Sequence, residues 1–315
     1  MGKIAFLFPG QGSQVVGMGK TLRDENEAVA AIFKRADETL DVELSKIIFE
    51  GPEEELTLTI NTQPALLTTS VAILEAFCAH NITADYVAGH SLGEYSALVS
   101  AGALSFEDAV YAVRKRGAFM EEAVPAGVGA MAAILGMDRE LLTEITEEVS
   151  KSGNVVELAN MNCPGQIVIS GSKQGVEEAS QVAKEKGARR VIPLQVSGPF
   201  HSSLMKPAAN KLQEVLDTLQ IKDATPPVVA NVCATEVTKA EDIKQKLIEQ
   251  VYSPVLWEDT VKYLLNQGVD TFIEIGSGNV LSGLVKKVNR RVKVYAINDR
   301  ETMDKAIESL KGGNT

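Results

Sequence analysis

The sequence predicts an α/β fold in which a mostly parallel sheet, covered by helices, carries a small inserted domain. Short β-rich runs alternate with longer helical patterns through most of the chain, which is typical of parallel sheets with helical crossovers. Between residues 125 and 196 the order becomes β-α-β-β-α-β, the pattern of a ferredoxin-like domain. A chain of 315 residues is long enough for a large domain that carries a smaller one.

The larger domain is predicted from residues 1–124 and 197–315. A polar run before Pro64 indicates one helix start, and a variant capping box from Ser105 to Asp108 indicates another. The predicted elements of this domain are strands at 4–8, 85–88, 227–231, 271–275 and 292–296, and helices at 65–79, 92–100, 106–123, 204–219, 241–251, 256–267, 280–288 and 303–310. Those of the inserted domain, residues 125–196, are strands at 129–135, 155–162, 166–170 and 189–196, and helices at 138–150 and 172–186.

A serine turn at the end of the second strand is the strongest chemical signal. The run Gly89-His90-Ser91-Leu92-Gly93 fits G-x-S-x-G directly after a strand and before a helix, which is the context of a nucleophile elbow. Glycine stands at the two positions where a side chain would clash in so sharp a turn. The backbone N–H of Leu92, at the helix start, is placed to bind a developing oxyanion. The sequence therefore predicts an enzyme with Ser91 as its nucleophile.

A second glycine-rich turn, Pro9-Gly10-Gln11-Gly12-Ser13-Gln14, follows the first strand. It does not match the dinucleotide-binding pattern G-x-G-x-x-G, because Val15 stands where the third glycine belongs. At the carboxyl end of a parallel strand, such a turn brings a backbone N–H beside the serine. We therefore expect the N–H of Gln11 to be the second oxyanion donor.

A serine nucleophile needs a base, and His201 is the candidate. It lies on a Gly/Pro loop just after the inserted domain, where catalytic residues are often carried. His90 adjoins the serine and is expected to support the site rather than to act as the base. No Asp or Glu stands out as a third member, so a backbone carbonyl is expected to orient the imidazole.

Arg116 is the only charged residue in the apolar half of the helix predicted at 106–123. A buried, unpaired arginine costs several kcal/mol, so a carboxylate partner is expected. From the helix alone, an internal salt bridge and a substrate carboxylate are equally good explanations.

Composition excludes several other classes of function. A net charge of −11 argues against nucleic acid as a general partner. The three cysteines form no C-x-x-C and no H-E-x-x-H occurs, so we expect no metal site and no disulfide framework. The apolar run after Lys3 reads as a strand rather than a signal peptide, and no run is long enough to span a membrane. We therefore expect a cytoplasmic monomer.

These motifs together resemble a known family. Phe8-Pro9-Gly10-Gln11-Gly12-Ser13-Gln14, Gly89-His90-Ser91-Leu92-Gly93-Glu94-Tyr95, Arg116, Gly198-Pro199-Phe200-His201 and Gln250 occur in the order found in malonyl-CoA:acyl carrier protein transacylases of bacterial type II fatty acid synthesis. The resemblance covers nearly the whole chain. It implies an α/β-hydrolase-like core with a ferredoxin-like subdomain.

The resemblance also implies roles for single residues. Ser91 would carry the malonyl group, Arg116 would bind its carboxylate, and the backbone carbonyl of Gln250 would orient His201. Phe200 is similar to malonyl-selective members. Gly276-Ser277-Gly278 departs from the Gly-Pro-Gly that many members have.

The implied reaction is a ping-pong transfer from malonyl-CoA to acyl carrier protein, without a metal or other cofactor. The carrier is acidic, so a cluster of Lys286, Lys287, Arg290 and Arg291 is a candidate docking patch, although a solvated helix end explains it equally well. A serine hydrolase, a carrier-binding module without activity and an acyltransferase of a polyketide pathway remain alternatives.

Overall fold

The structure, a computed structural model, describes residues 2–125, 127–196 and 198–312. Its strands are β1 (Lys3–Phe8), β2 (Tyr86–Gly89), β3 (Gly129–Leu135), β4 (Val156–Cys163), β5 (Gln166–Ser172), β6 (Arg190–Pro193), β7 (Val228–Val229), β8 (Glu236–Val237), β9 (Val269–Ile275) and β10 (Lys293–Ile297). Its helices are α1 (Lys20–Glu25), α2 (Glu27–Leu40), α3 (Leu44–Glu50), α4 (Glu53–Thr57), α5 (Thr59–Cys78), α6 (Gly93–Ser100), α7 (Phe106–Glu122), α8 (Arg139–Lys151), α9 (Lys173–Glu185), α10 (Lys206–Leu216), α11 (Ala240–Gln250), α12 (Trp257–Asn266), α13 (Val280–Val288) and α14 (Arg300–Gly312).

The larger sheet has the strand order β10-β9-β1-β2-β7-β8. All its neighbours pair in parallel except β7 and β8, which form an antiparallel edge. The last four residues of β1 and all of β2 are buried, as expected for central strands covered by helices on both faces. Their carboxyl ends meet at one edge of the sheet, because Phe8 pairs with Gly89.

The smaller sheet has the order β4-β5-β3-β6, with antiparallel neighbours throughout. This order and the helices α8 and α9 are those of a ferredoxin-like domain, so the predicted fold class is confirmed in both its parts. Residues such as Ile134 and Ile169 pack under the two helices. Met131 and Val168 instead belong to the main core, so the two sheets share a hydrophobic contact.

The backbone also joins the two sheets. Met161 of β4 donates its N–H to the carbonyl of Val255 at 2.9 Å, and Val255 donates its own to Ala159 at 2.8 Å. The small sheet is thereby fixed beside the loop that leads into α12.

The structure differs from the predicted elements mainly between residues 20 and 58. The helices α1, α3 and α4 have five to seven residues, which is too short for an apolar periodicity to show in sequence. Helix α5 begins at Thr59 and holds Pro64 in its interior. The polar residues that indicated a cap bond backward instead: Asn61 donates to the carbonyl of Glu55, and Thr62 to that of Leu56. The cap at Ser105, by contrast, is confirmed, because its hydroxyl accepts the N–H of Asp108 at 3.0 Å.

Candidate active site

Ser91 lies on the turn that joins β2 to α6. Its φ of 52° falls in the left-handed region, which few non-glycine residues adopt. A Cβ at Gly89 would lie 1.9 Å from the backbone of Gly93, and one at Gly93 would lie 2.1 Å from the carbonyl oxygen of Phe8. Only glycine therefore lets the turn pass so close to β1. The predicted nucleophile elbow is present.

The serine and the predicted base are in contact. Ser91 Oγ lies 2.8 Å from His201 Nε2, and His201 Nδ1 lies 2.8 Å from the backbone carbonyl oxygen of Gln250. Because a carbonyl oxygen only accepts, Nδ1 carries the proton and Nε2 is free to accept one from Ser91. Burial, followed by the charge of Arg116, lowers the pKa of His201 to about 3. The histidine is therefore neutral near pH 7 and able to take up a proton.

Arg116 is buried and points at the nucleophile. Its Nη2 donates to Ser91 Oγ at 3.0 Å and to Gln250 Oε1 at 2.9 Å, and its Nη1 donates to Gln63 Oε1 at 2.7 Å. All three acceptors are neutral, and the guanidinium forms no ion pair with a carboxylate of the described residues. Its Nε has no hydrogen-bond partner there either. The internal salt bridge that the helix pattern left open is therefore not found.

The two predicted oxyanion donors border the same pocket as Ser91. Leu92 precedes α6, and Gln11 lies on the turn after β1. The Gln11 turn is held by the loop after β9, where Ser277 Oγ donates to the carbonyl oxygen of Ser13 at 2.6 Å. The serine that departs from the Gly-Pro-Gly pattern is thus a support for this turn, although it is distant in sequence.

Both domains contribute walls to the pocket around Ser91. Phe200 lies there with Gln63 and Met120 from the larger domain. The inserted segment contributes four more lining residues, namely Met131, Asn160, Leu194 and Val196. Phe200, which is similar to malonyl-selective members, lines the same pocket as Ser91, whereas the four residues of the inserted segment were not anticipated.

His90 points away from the catalytic pair. Its Nε2 donates to Asn162 Oδ1 at 2.9 Å, and its ring packs on Trp257 with the centroids 5.5 Å apart. Withdrawal from water lowers its pKa. His90 therefore ties the serine turn to β4, and the supporting role predicted for it stays a prediction.

Two further polar residues lie beneath the elbow. Asn231 Oδ1 accepts the N–H of Ser91 at 2.7 Å, and its Nδ2 donates to the carbonyl of Gly89 at 2.7 Å. Glu94 Oε2 accepts the N–H of Asn231 at 3.0 Å and Gln250 Nε2 at 2.8 Å. Sequence reasoning assigned no role to either residue. Asn231 is the last residue of the strand predicted at 227–231 and lies two residues after the end of β7, which was the available signal.

The predicted basic cluster lies away from this edge. Lys293 starts β10 and pairs with Thr271 near the start of β9, so the preceding Arg290 and Arg291 lie at the amino edge of the sheet. Lys286 Nζ bonds the carbonyl oxygens of Arg290 and Val292. These contacts favour the solvated helix end over the docking patch.

Two features that would indicate other classes of protein are absent from the described residues. No helix in the described part of the chain combines the length and apolar character needed to cross a membrane. Within the same residues, no three His, Cys, Asp or Glu side chains are grouped closely enough to hold a metal ion.

Comparison with known proteins agrees with this geometry. A family model described as "Acyl transferase domain" matches residues 5–304. Malonyl CoA-acyl carrier protein transacylase of Bacillus subtilis is 66% identical over 314 residues, covering 100% of this chain and 99% of that protein. The crystal structure of the same-named protein from Clostridium perfringens is 44% identical, with a TM-score of 0.95 over 99% of this chain and 98% of the other.

A further solved structure contains a carrier. It holds a malonyl-transacylase in complex with its type II polyketide acyl-carrier protein, and it is 44% identical, with a TM-score of 0.95 over 98% of this chain and 99% of the other. The similarity spans both domains and includes the serine, histidine and arginine segments described above. The chain therefore belongs to the family of malonyl-CoA:acyl carrier protein transacylases.

Proposed function

We propose that this enzyme moves a malonyl group from malonyl-CoA to the phosphopantetheine thiol of acyl carrier protein, through a malonyl ester on Ser91. The observation that carries the proposal is a buried arginine, in contact with the nucleophile, whose acceptors are all neutral. A guanidinium with no carboxylate in direct contact favours a substrate that brings one, because it can bind a carboxylate in a two-pronged way. A site for acyl groups that lack a carboxylate would not need this guanidinium.

The first half-reaction forms the ester. Ser91 Oγ gives its proton to His201 Nε2 and attacks the thioester carbonyl carbon. The resulting oxyanion is bound by the backbone N–H groups of Gln11 and Leu92, each of which contributes about 10²–10³ in rate at comparable sites. The carbon–sulfur bond then breaks, and the sulfur takes the proton from Nε2 as coenzyme A leaves.

The second half-reaction reverses these steps with a new thiol. The carrier thiol gives its proton to His201 Nε2, and its sulfur attacks the ester carbonyl. The bond to Ser91 Oγ breaks, and the oxygen recovers the proton. Throughout both steps the carbonyl of Gln250 stabilises the transient imidazolium by accepting from Nδ1. No electron transfer or metal-bound intermediate is required by this scheme.

Arg116 is proposed to change partners during the cycle. In the free enzyme it donates to Ser91 Oγ. When malonyl enters, its unpartnered Nε–H and an Nη–H are free to bind the carboxylate in a two-pronged way. We further propose that the enzyme acts as a monomer, because all these groups come from one chain. The location that we propose for it is the cytoplasm.

Intact mass after mixing with malonyl-CoA alone tests the acyl-enzyme. We expect a malonyl-sized gain that is absent in Ser91→Ala. Coenzyme A release without an adduct would indicate a hydrolase, and neither adduct nor release in folded protein would reject the proposal.

The acceptor is tested by adding holo carriers to the isolated acyl-enzyme. Transfer to a fatty acid carrier at a rate well above that for a polyketide carrier is the expected result. The reverse preference would place the enzyme in polyketide synthesis, and release as free malonate alone would exclude a carrier as the acceptor.

A further inference from the structure

A buried carboxylate lies on the far side of Gln250 from Arg116. Glu94 is 2% exposed, and the mechanism above assigns it no part. It has no cation in direct contact among the described residues, since its acceptor contacts are the N–H of Asn231 and Nε2 of Gln250. Burying a carboxylate without a paired cation lowers the stability of the folded protein, so a functional role would explain why Glu94 is held there.

The Gln250 side chain connects the two charges. Its Oε1 accepts from Arg116 Nη2 at 2.9 Å, while its Nε2 donates to Glu94 Oε2 at 2.8 Å and to the carbonyl oxygen of Ser91 at 3.0 Å. Reversing the amide would put its oxygen against two acceptors and its N–H groups against a guanidinium. The amide dipole is therefore fixed with its negative end on Arg116 and its positive end on Glu94.

Hydrogen bonds through Gln250 and Asn231 thus connect Glu94 to Ser91, His201 and Arg116. Gln250 holds the carbonyl of Ser91 and, by its own backbone carbonyl, His201. Asn231 holds the N–H of Ser91. Both backbone polar groups of Ser91, which has a positive φ, are thus bound by side chains of residues that Glu94 contacts: the side-chain amide of Gln250 and the backbone N–H of Asn231.

We propose that Glu94 is a positioning residue that serves as the resting counter-charge of Arg116, and that it takes up a proton when the malonyl carboxylate reaches the guanidinium. The proposal rests on the malonyl-transfer function proposed above. One guanidinium compensates one carboxylate, so the arrival of a second leaves an uncompensated negative charge in a buried site. Protonation of Glu94 from –COO⁻ to –COOH by a solvent proton removes that charge and breaks no other bond.

The charged and titratable neighbours of Glu94 are consistent with this exchange. Arg116 faces it from α7, Tyr95 adjoins it on α6, and His201 and His90 lie across the serine turn. Burial raises the pKa of Glu94 to about 7, although the N–H of Asn231, the Gln250 amide and Arg116 each act to lower it. The carboxylate is thus poised where one added charge changes its protonation.

Proton uptake during acylation tests the proposal directly. Free enzyme is mixed with one equivalent of malonyl-CoA at pH 7.5 in weak buffer with a pH indicator, and the adduct is counted by intact mass. The acylation chemistry itself is proton-neutral at this pH to within about 10%, because a thiol with an ordinary pKa of about 8.5 or higher stays mostly protonated. We expect an uptake of roughly half a proton or more per adduct.

Glu94→Gln removes the charge but keeps an oxygen to accept both hydrogen bonds, and it should abolish the uptake. Glu75→Gln, which removes an exposed carboxylate on α5, is the matched control and should retain it. Wild-type KM for malonyl-CoA should rise about 3- to 10-fold from pH 7 to pH 8, since binding coupled to proton uptake weakens as pH rises, and Glu94→Gln should be flat.

Infrared difference spectra of the wild-type enzyme, taken with ¹³C-malonyl-CoA, give an answer that does not depend on the variant folding. A new unlabelled protonated-carboxyl band on acylation supports the proposal. Adduct formation without uptake or band, or uptake that survives in Glu94→Gln, would overturn it. Absence of the adduct itself would instead reject the malonyl-transfer function.

Discussion

Arg116 places a positive charge 3.0 Å from Ser91 Oγ, the oxygen proposed to attack the thioester. At the scale of single residues, this charge is proposed to select the acyl group, and it adds to burial in lowering the pKa of His201. Both consequences are open to measurement.

Replacing Arg116 with alanine should reduce kcat/KM for malonyl-CoA by about 10²–10³-fold, because losing a buried charge–carboxylate contact costs several kcal/mol. Activity with acetyl-CoA should change by less than about tenfold, since no carboxylate is involved. Steady-state kinetics with both thioesters measures the ratio. Lys115→Ala removes a charge from the neighbouring, half-buried position and should alter neither value. Equal losses for both thioesters in Arg116→Ala would mean that the arginine only supports the fold.

The low pKa of His201 predicts the acid side of the pH profile. A folded-state pKa of about 3, below the ordinary value of 6.5, means that the neutral base persists as pH falls through 6. The acylation rate constant in single turnover at saturating malonyl-CoA should therefore stay flat from pH 7.5 to about pH 5. A decline centred near pH 6.5 would show that the histidine titrates like an exposed one.

Ser91, His201 and Arg116 were predictable because each carries a local mark: a glycine-bounded turn, a Gly/Pro loop after an insertion and a charge in an apolar stripe. Gln63 carries no such mark, and Asn231 has only its position at the end of a predicted strand. Their amides act through partners 53 and 140 residues away in sequence, and only the folded chain brings those together. Amide side chains are common on any surface, so their type alone indicates nothing.

At the scale of elements, the crossing of α6 over β1 depends on the absence of two side chains. Gly89→Ala would put a Cβ 1.9 Å from the backbone of Gly93. We expect a lower Tm and a loss of at least 10²-fold in acylation, because backbone must move where the oxyanion donors are set. Circular dichroism melting and the adduct assay measure both.

Gly283→Ala is the matched control in α13, where an added Cβ meets nothing within 4 Å. It should stabilise the protein by about 0.4–1 kcal/mol and leave acylation unchanged. A Gly89→Ala variant that is as stable and active as Gly283→Ala would contradict the packing argument.

Most long elements were predicted with nearly the right bounds, and the antiparallel sheet was predicted from strand order alone. The region from α1 to α4 was not predicted. Its helices of five to seven residues are too short to show a pattern of their own, whereas the 14-residue α2, with Val29, Ile32, Phe33 and Ala36 on its buried face, carries such a pattern and was missed. The start of α5 was misplaced for a related reason: Asn61 and Thr62 donate to the backbone carbonyls of Glu55 and Leu56, which both lie in α4.

For the whole molecule, the site of carrier docking must be consistent with a net charge of −11. The cluster at the end of α13 lies at the amino edge of the sheet, opposite Ser91. The double variant Lys286→Glu, Lys287→Glu should therefore keep KM for the holo carrier within about twofold and leave its salt dependence unchanged, because charge contacts outside an interface do not steer association. A KM that rises tenfold, with a shallower salt dependence, would instead support the hypothesis that this cluster is the docking patch.

The pocket draws its reacting groups from one domain and part of its lining from the other. Met131, Leu194 and Val196 line the pocket without bonding to Ser91, His201 or Arg116. Mutations there alter the shape of the cavity and leave the chemistry in place. A change in the acyl chain that fits the pocket therefore does not require a change in any of the reacting groups.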